Sequence, residues 1–190
     1  MLKNWRTNDF VIVALLSAAY IVADLIFASA VVAVSGIPLS SALITGLIAG
    51  FFLLITVKLV PKPGAVTLLM ALFAVMELPT SLGGAPGFWP KIPINVLAGL
   101  LGDVWLYFTG YHKRWNLFVG FYILAAVNLA SFIFFLVLMK IPNAEKTLAI
   151  AHWLILVYWI IGTIGIALGL VVWNKIKDKK IVKSIGGRNV

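Results

Sequence analysis

Apolar and polar positions along the chain alternate in long blocks, with apolar runs of about 18 to 25 residues separated by short polar punctuation, the length a helix needs to cross a hydrocarbon core of about 30 Å. The pattern predicts six helices, near 9–34, 38–58, 64–78, 92–110, 115–139 and 150–174. The expected fold is an all-α integral membrane protein: a compact bundle of six transmembrane helices forming a single domain over residues 1–190, with a short basic tail over 175–190. No soluble domain, low-complexity linker or internal repeat interrupts it. The first run has no small-residue cleavage site behind it, so helix one is expected to be retained rather than removed as a signal peptide.

Composition agrees with a lipid-embedded chain: 63% of the 190 residues are hydrophobic and 11% charged, a balance foreign to soluble domains. The net charge of +9 changes meaning once its positions are read. With the N-terminus inside, the cytoplasmic segments hold Lys3, Arg6, Lys58, Lys62, Lys113, Arg114, Lys175, Lys177, Lys179, Lys180, Lys183 and Arg188, against Lys91, Lys140 and Lys146 outside. This bias predicts a multi-pass chain in the plasma membrane with both termini on the cytoplasmic side. The charge then serves topology and anionic lipid, not nucleic acid. Trp5, Trp115 and Trp173 are expected at the inner interface and Trp89 and Trp153 at the outer one. With no cysteine, disulfides and thiolate metal sites are excluded.

Three acids fall inside the spans, where a carboxylate is costly unless it faces protein, water or a ligand. Asp24 on helix one and Glu77 on helix three reach similar depths, roughly 20 Å from the inner boundary. Helix three meets Pro79 early, so it is only roughly 22 Å long and ends within the membrane. The segment Pro79-Thr-Ser-Leu-Gly-Gly-Ala-Pro-Gly-Phe-Trp-Pro90 must then begin at hydrocarbon depth, where irregular backbone is tolerated only against protein or a wet cavity. Asn95, Asn128, His152, Trp159, Trp89 and Trp153 are expected to converge on the same outer half. His152 and Trp159 share one helix face at i, i+7 spacing. Together with Asp24 and Glu77 these residues form the candidate substrate site, opening outward and closed inward. Asp103, about 12 Å below Asn95 on helix four, is either the floor of that pocket or a structural acid paired with Arg114 or a backbone group.

Small residues supply a second surface. Ala14 and Ala18 make a shallow groove for a crossing helix and point away from Asp24, so one helix can face a pocket and a partner at once. Gly165-Ile-Ala-Leu-Gly169 on helix six offers close packing either within the chain or to a partner.

On these residues the chain resembles the S-components of energy-coupling factor importers, compact six-helix membrane proteins of about this length. The resemblance rests on the alanine motif Ala14/Ala18 and on the entry Lys62-Pro63-Gly64-Ala65 to helix three, followed by Glu77 and a Gly/Pro loop, which looks like the YkoE-type branch linked to thiamine or its hydroxymethylpyrimidine precursor. It implies a substrate-binding subunit of a vitamin importer, with a pocket gated by the loops after helices one and three. Ala14 and Ala18 would contact an energy-coupling transmembrane subunit that carries two ABC ATPases. The loop Ser35-Gly-Ile-Pro38 is short for such a gate. No Gly-x-x-x-x-Gly-Lys-Ser/Thr loop occurs, so ATP hydrolysis would belong to partners. The expectation is a non-enzymatic chain without cofactor or metal. The competing readings are a stand-alone proton-coupled transporter, which the buried acids favour, and an intramembrane enzyme using Ser81 with His152 or the Asp24/Glu77 pair, for which no recognised catalytic motif is present.

Overall fold

A computed structural model of the chain describes residues 5–35, 40–82, 86–111, 113–140 and 151–179. Lys3, Lys146, Lys180, Lys183, Arg188, the Gly36–Pro38 part of the first loop and residues 83–85 of the Gly/Pro loop lie outside the described residues. Among those described, the secondary structure is helical: α1 Thr7–Ser35, α2 Ser40–Leu59, α3 Ala65–Glu77, α4 Lys91–Thr109, α5 Arg114–Leu138 and α6 Ala151–Ile176. Four stretches are long and apolar enough to cross a membrane, namely Thr7–Val31, Lys91–Thr109, Trp115–Phe135 and Ile155–Ile176. Ile44–Leu59 and Ala65–Glu77 are shorter apolar helices. At 1.5 Å per residue α3 is about 20 Å long, well short of a bilayer core.

Inter-helix contacts give the direction of each element. Asp24 meets Thr45 and Tyr20 meets Phe52, so α2 runs against α1. Ser17 bonds to the Leu69 carbonyl and Tyr20 stacks on Phe73, so α3 runs with α1. Thr67 pairs with Asp103 and Glu77 with Asn95, which sets α4 against α3. Asn95–Asn128 and Trp105–Asn116 set α5 against α4. The helices thus alternate, and α6 completes the series by running parallel to α2.

Glycine makes that last pairing possible. A Cβ placed on Gly50 would sit 2.1 Å from the Gly162 carbonyl oxygen, and one on Gly165 would sit 2.0 Å from the Leu47 carbonyl oxygen. Backbones this close need both surfaces bare, the usual device of helix association in lipid, where apolar burial gives little drive. Gly165 and Gly169 are therefore spent inside the chain, on Leu47, Phe51 and Leu54 of α2.

The core is inside the bundle, around Tyr20, Leu54, Val66, Leu106, Phe121 and Ile166. Large apolar side chains also cover the outside, with Val34 90% exposed and Phe108 and Trp115 each 80% exposed. Apolar coverage on that scale suits hydrocarbon rather than water. On α1, Val13, Ser17, Tyr20, Asp24 and Ala28 form the buried stripe, whereas Ala14, Leu15 and Val22 face outward and Ala18 is half-buried. Trp173 is buried against the bundle.

The end of the bundle holding Thr7 is tied to the α2–α3 connection. Asp9 accepts from the Arg6 amide at 2.6 Å and pairs with the Lys62 ammonium at 2.5 Å. The Trp5 indole donates to the Pro63 carbonyl at 3.1 Å. Gly64 then turns the chain into α3 with φ +91°, a left-handed conformation that favours glycine.

Candidate functional site

The two ends of α3 each meet a buried acid. A helix start leaves orphan amides, and α3 has no capping side chain of its own. Asp103 supplies the cap from α4, accepting from the Val66 amide at 3.3 Å, the Thr67 amide at 2.7 Å and the Thr67 hydroxyl at 2.6 Å. A carboxylate at a helix N-terminus is favoured by both the free amides and the dipole. Of the two roles foreseen for Asp103, this is the structural acid bound to backbone groups, not a pocket floor.

The other end of α3 is built differently. After Glu77 the chain turns at Pro79, and the exposed carbonyls are gathered by Lys91, whose ammonium donates to the backbone oxygens of Glu77 at 3.3 Å and Thr80 at 2.8 Å. A cation here complements the negative end of the helix. The Thr80 hydroxyl adds a bond to the Glu77 carbonyl at 2.8 Å, and Leu82 drops into the core. The start of the loop, through Thr80, is thus pinned by a lysine that is 3% exposed. The pattern along the chain marks Lys91 only as a basic residue on the outer side.

Side chains from all six helices meet beside this turn. The Asn128 amide donates to Asn95 Oδ1 at 3.0 Å, and Asn95 Nδ2 donates to the Lys91 carbonyl at 2.9 Å and to Glu77 Oε2 at 3.4 Å. Asp24 accepts from the Thr45 hydroxyl at 2.8 Å through Oδ1, while its Oδ2 is buried without a hydrogen-bond partner. Asp24 and Glu77 lie within electrostatic reach of one another and of Tyr20 and Tyr158. Tyr20 is held by stacking on Phe73, centroids 4.0 Å apart, and on Phe52, and Tyr158 stacks on Phe121. All six core members are largely inaccessible: Asp24, Glu77, Lys91, Asn95, Tyr20 and Tyr158 are each buried. Thr45, Tyr20, Tyr158 and Lys91 were not singled out from sequence. Tyr20 was within reach, standing one turn before Asp24 on the same face.

The structure corrects the expectation that all the named residues converge. Asp24, Glu77, Asn95 and Asn128 come together; His152, Trp153, Trp159 and Trp89 do not join them. Trp89 is 58% exposed and packs edge-on to Phe135, while Trp153 is 61% exposed and lies against the His152 ring. His152 and Trp159 do share a face, but it lines a separate groove of about 530 Å³ between α5 and α6, with Trp115, Phe118, Tyr122 and Leu156. Equal height in a bundle does not bring side chains together; the rotation of each helix about its axis decides what they meet. Within that groove the Trp159 indole N–H is buried without an acceptor. Among the described residues, no group of three His, Asp or Glu is placed to hold a metal ion.

One family sequence model, described as "Hypothetical bacterial integral membrane protein (Trep_Strep)", matches residues 7–181. No curated protein and no solved structure matches the chain.

Proposed function

The chain belongs to the Trep_Strep family of bacterial integral membrane proteins, and from that premise we propose that it is the substrate-capturing subunit of an energy-coupling factor vitamin importer. The observation that carries this reading is Asp24: an acid 1% exposed, beside Glu77 and two tyrosines, with one carboxylate oxygen left without a partner. A buried polar group in that condition is costly unless something else completes it. The broken α3 and its pinned loop lie directly beside it, as befits a site that must admit a guest.

In this reading all six helices cross the plasma membrane, both termini are cytoplasmic, and the cluster lies toward the outer leaflet. The favoured ligand is a small aromatic vitamin or precursor, thiamine or its hydroxymethylpyrimidine precursor ahead of riboflavin. A Glu77 carboxylate accepts hydrogen bonds from an aminopyrimidine. In this reading the chain is not itself an enzyme, and ATP hydrolysis belongs to its partners. Release would require the coupling subunit and its two ATPases, docked on the outward face that carries Ala14 and Ala18.

Calorimetry on the purified protein tests the site: Glu77→Gln should weaken aromatic vitamin binding at least tenfold, about 1.4 kcal/mol, with the fold retained. Unchanged binding makes Glu77 structural. Ala14→Trp should abolish copurification with a coupling subunit and leave ligand affinity alone; retained assembly removes that face from the reading. The buried acids also favour a second reading, a stand-alone proton-coupled transporter. Vitamin uptake by proteoliposomes containing this chain alone, driven by a pH gradient, would establish that alternative.

A further inference from the structure

We propose that the Asp24–Glu77 site takes an organic cation, and that the Asp24 carboxylate is the group that reads the positive charge. The inference deepens the capture reading and rests on it, since it names the class of ligand for that same site.

The argument is one of charge and satisfaction together. The groups that face the site come from every helix. They are Tyr20 and Asp24 from α1, Thr45 from α2, Glu77 from α3, Lys91 and Asn95 from α4, Asn128 from α5 and Tyr158 from α6. Among these described groups two are acids and one is a base. The base is committed: Lys91 holds the carbonyls of Glu77 and Thr80, and its charge acts on the Glu77 carboxylate. Glu77 also has the Asn95 amide. Asp24 has neither. Its single donor is the neutral Thr45 hydroxyl, and Oδ2 is left bare in a side chain 1% exposed.

A neutral guest would leave that carboxylate without a counter-charge in a medium that screens poorly, and an anionic guest would add repulsion from both acids. A cation supplies what is missing, and one with an N–H or a polarised C–H directed at Oδ2 supplies the donor as well. The alternative occupant of Oδ2 is a proton, which would make the site indifferent to ligand charge. Tyr20 cannot adapt to either case by moving, since its ring is stacked on Phe52 and Phe73. Discrimination is therefore left to the carboxylate.

The test uses the full chain in lipid nanodiscs and three probes measured by calorimetry at neutral pH. They are thiamine, which carries a permanent thiazolium charge; its analogue with a neutral triazole ring in that place; and riboflavin. In the wild-type protein thiamine should bind at least 30-fold more tightly than the triazole analogue. Asp24→Asn should cost the cation at least 30-fold and the neutral analogue less than threefold, so that the preference collapses. Asp24→Glu should keep most of it. Equal affinity for the charged and neutral analogues, tighter binding of riboflavin, or an Asp24→Asn protein that still prefers the cation each overturns the inference while leaving the capture reading intact. Binding of none of the three sinks the aromatic-vitamin reading, and the inference with it. Should Asp24→Asn not fold, the wild-type comparison between thiamine and its triazole analogue decides alone.

Discussion

Asp103 and Asp24 are the same residue type at comparable burial, 2% and 1% exposed, one beside the start of α3 and the other across from its end. Around Asp103 three donors converge, two of them backbone amides that the helix could not otherwise satisfy. Around Asp24 there is one hydroxyl and a bare oxygen. The first arrangement is closed: carboxylate and helix start complete each other, and neither needs anything from outside. The second is open: one oxygen of an acid that is 1% exposed has no hydrogen-bond partner. Burial alone thus does not distinguish the two acids; the count of satisfied oxygens does.

Replacing the closed acid should have the largest effect on stability. Asp103→Leu strands the Val66 and Thr67 amides and should cost about 3 kcal/mol, while Asp103→Asn, which still offers one acceptor, should cost about half as much. Unfolding in mild detergent measures both, and ligand affinity of the folded fraction should change by less than about twofold, on the premise that distant sites act independently. If affinity falls as far as stability, the division between the two acids is false.

Lys91→Met should follow, at about 1.5 kcal/mol, because two carbonyls at the end of α3 lose a charged donor. Its specific signature is local. Hydrogen exchange should accelerate at Thr80 and Leu82, whose amides are held in the turn that Lys91 pins. Uniform acceleration over the whole bundle would instead show the lysine to be a global core element.

Thr45→Val removes the one donor that Asp24 has and should cost about 1 kcal/mol in unfolding measurements. An unchanged or raised stability would indicate that the Asp24 oxygen finds other partners and that its contrast with Asp103 is overdrawn. The smallest effect is expected at the Thr7 end of the bundle. There the Lys62–Asp9 pair is only partly buried, with side chains 24% and 12% exposed, so Lys62→Met should cost about 0.5 kcal/mol, less in high salt.

Much of this architecture was legible beforehand. Predicted spans at 9–34, 64–78 and 115–139 became Thr7–Ser35, Ala65–Glu77 and Arg114–Leu138, because length and hydropathy are properties of a segment and need no partner. Pro79 announced the early end of α3 for the same local reason. The joining of Asp24, Glu77, Asn95 and Asn128 followed from equal height on helices whose inward faces happen to be polar. Trp89, Trp153 and His152, expected in the same outer half, went elsewhere, since an aromatic near a span end is as well placed against lipid as inside. Lys91 was read as a loop charge because nothing local reveals that a long side chain folds back onto carbonyls 11 and 14 residues earlier.

What the amino-acid sequence determined alone is the class of molecule: apolar helices fit for a bilayer, a third helix too short for it, and three acids that need a reason to be there. What surrounds each acid was decided by the tertiary structure. Hydropathy is summed along one segment, whereas a carboxylate is satisfied by groups about 3 Å away on helices distant in sequence. Only the packed bundle, with α6 drawn onto α2 through bare glycines, says which oxygens are answered and which one is left waiting.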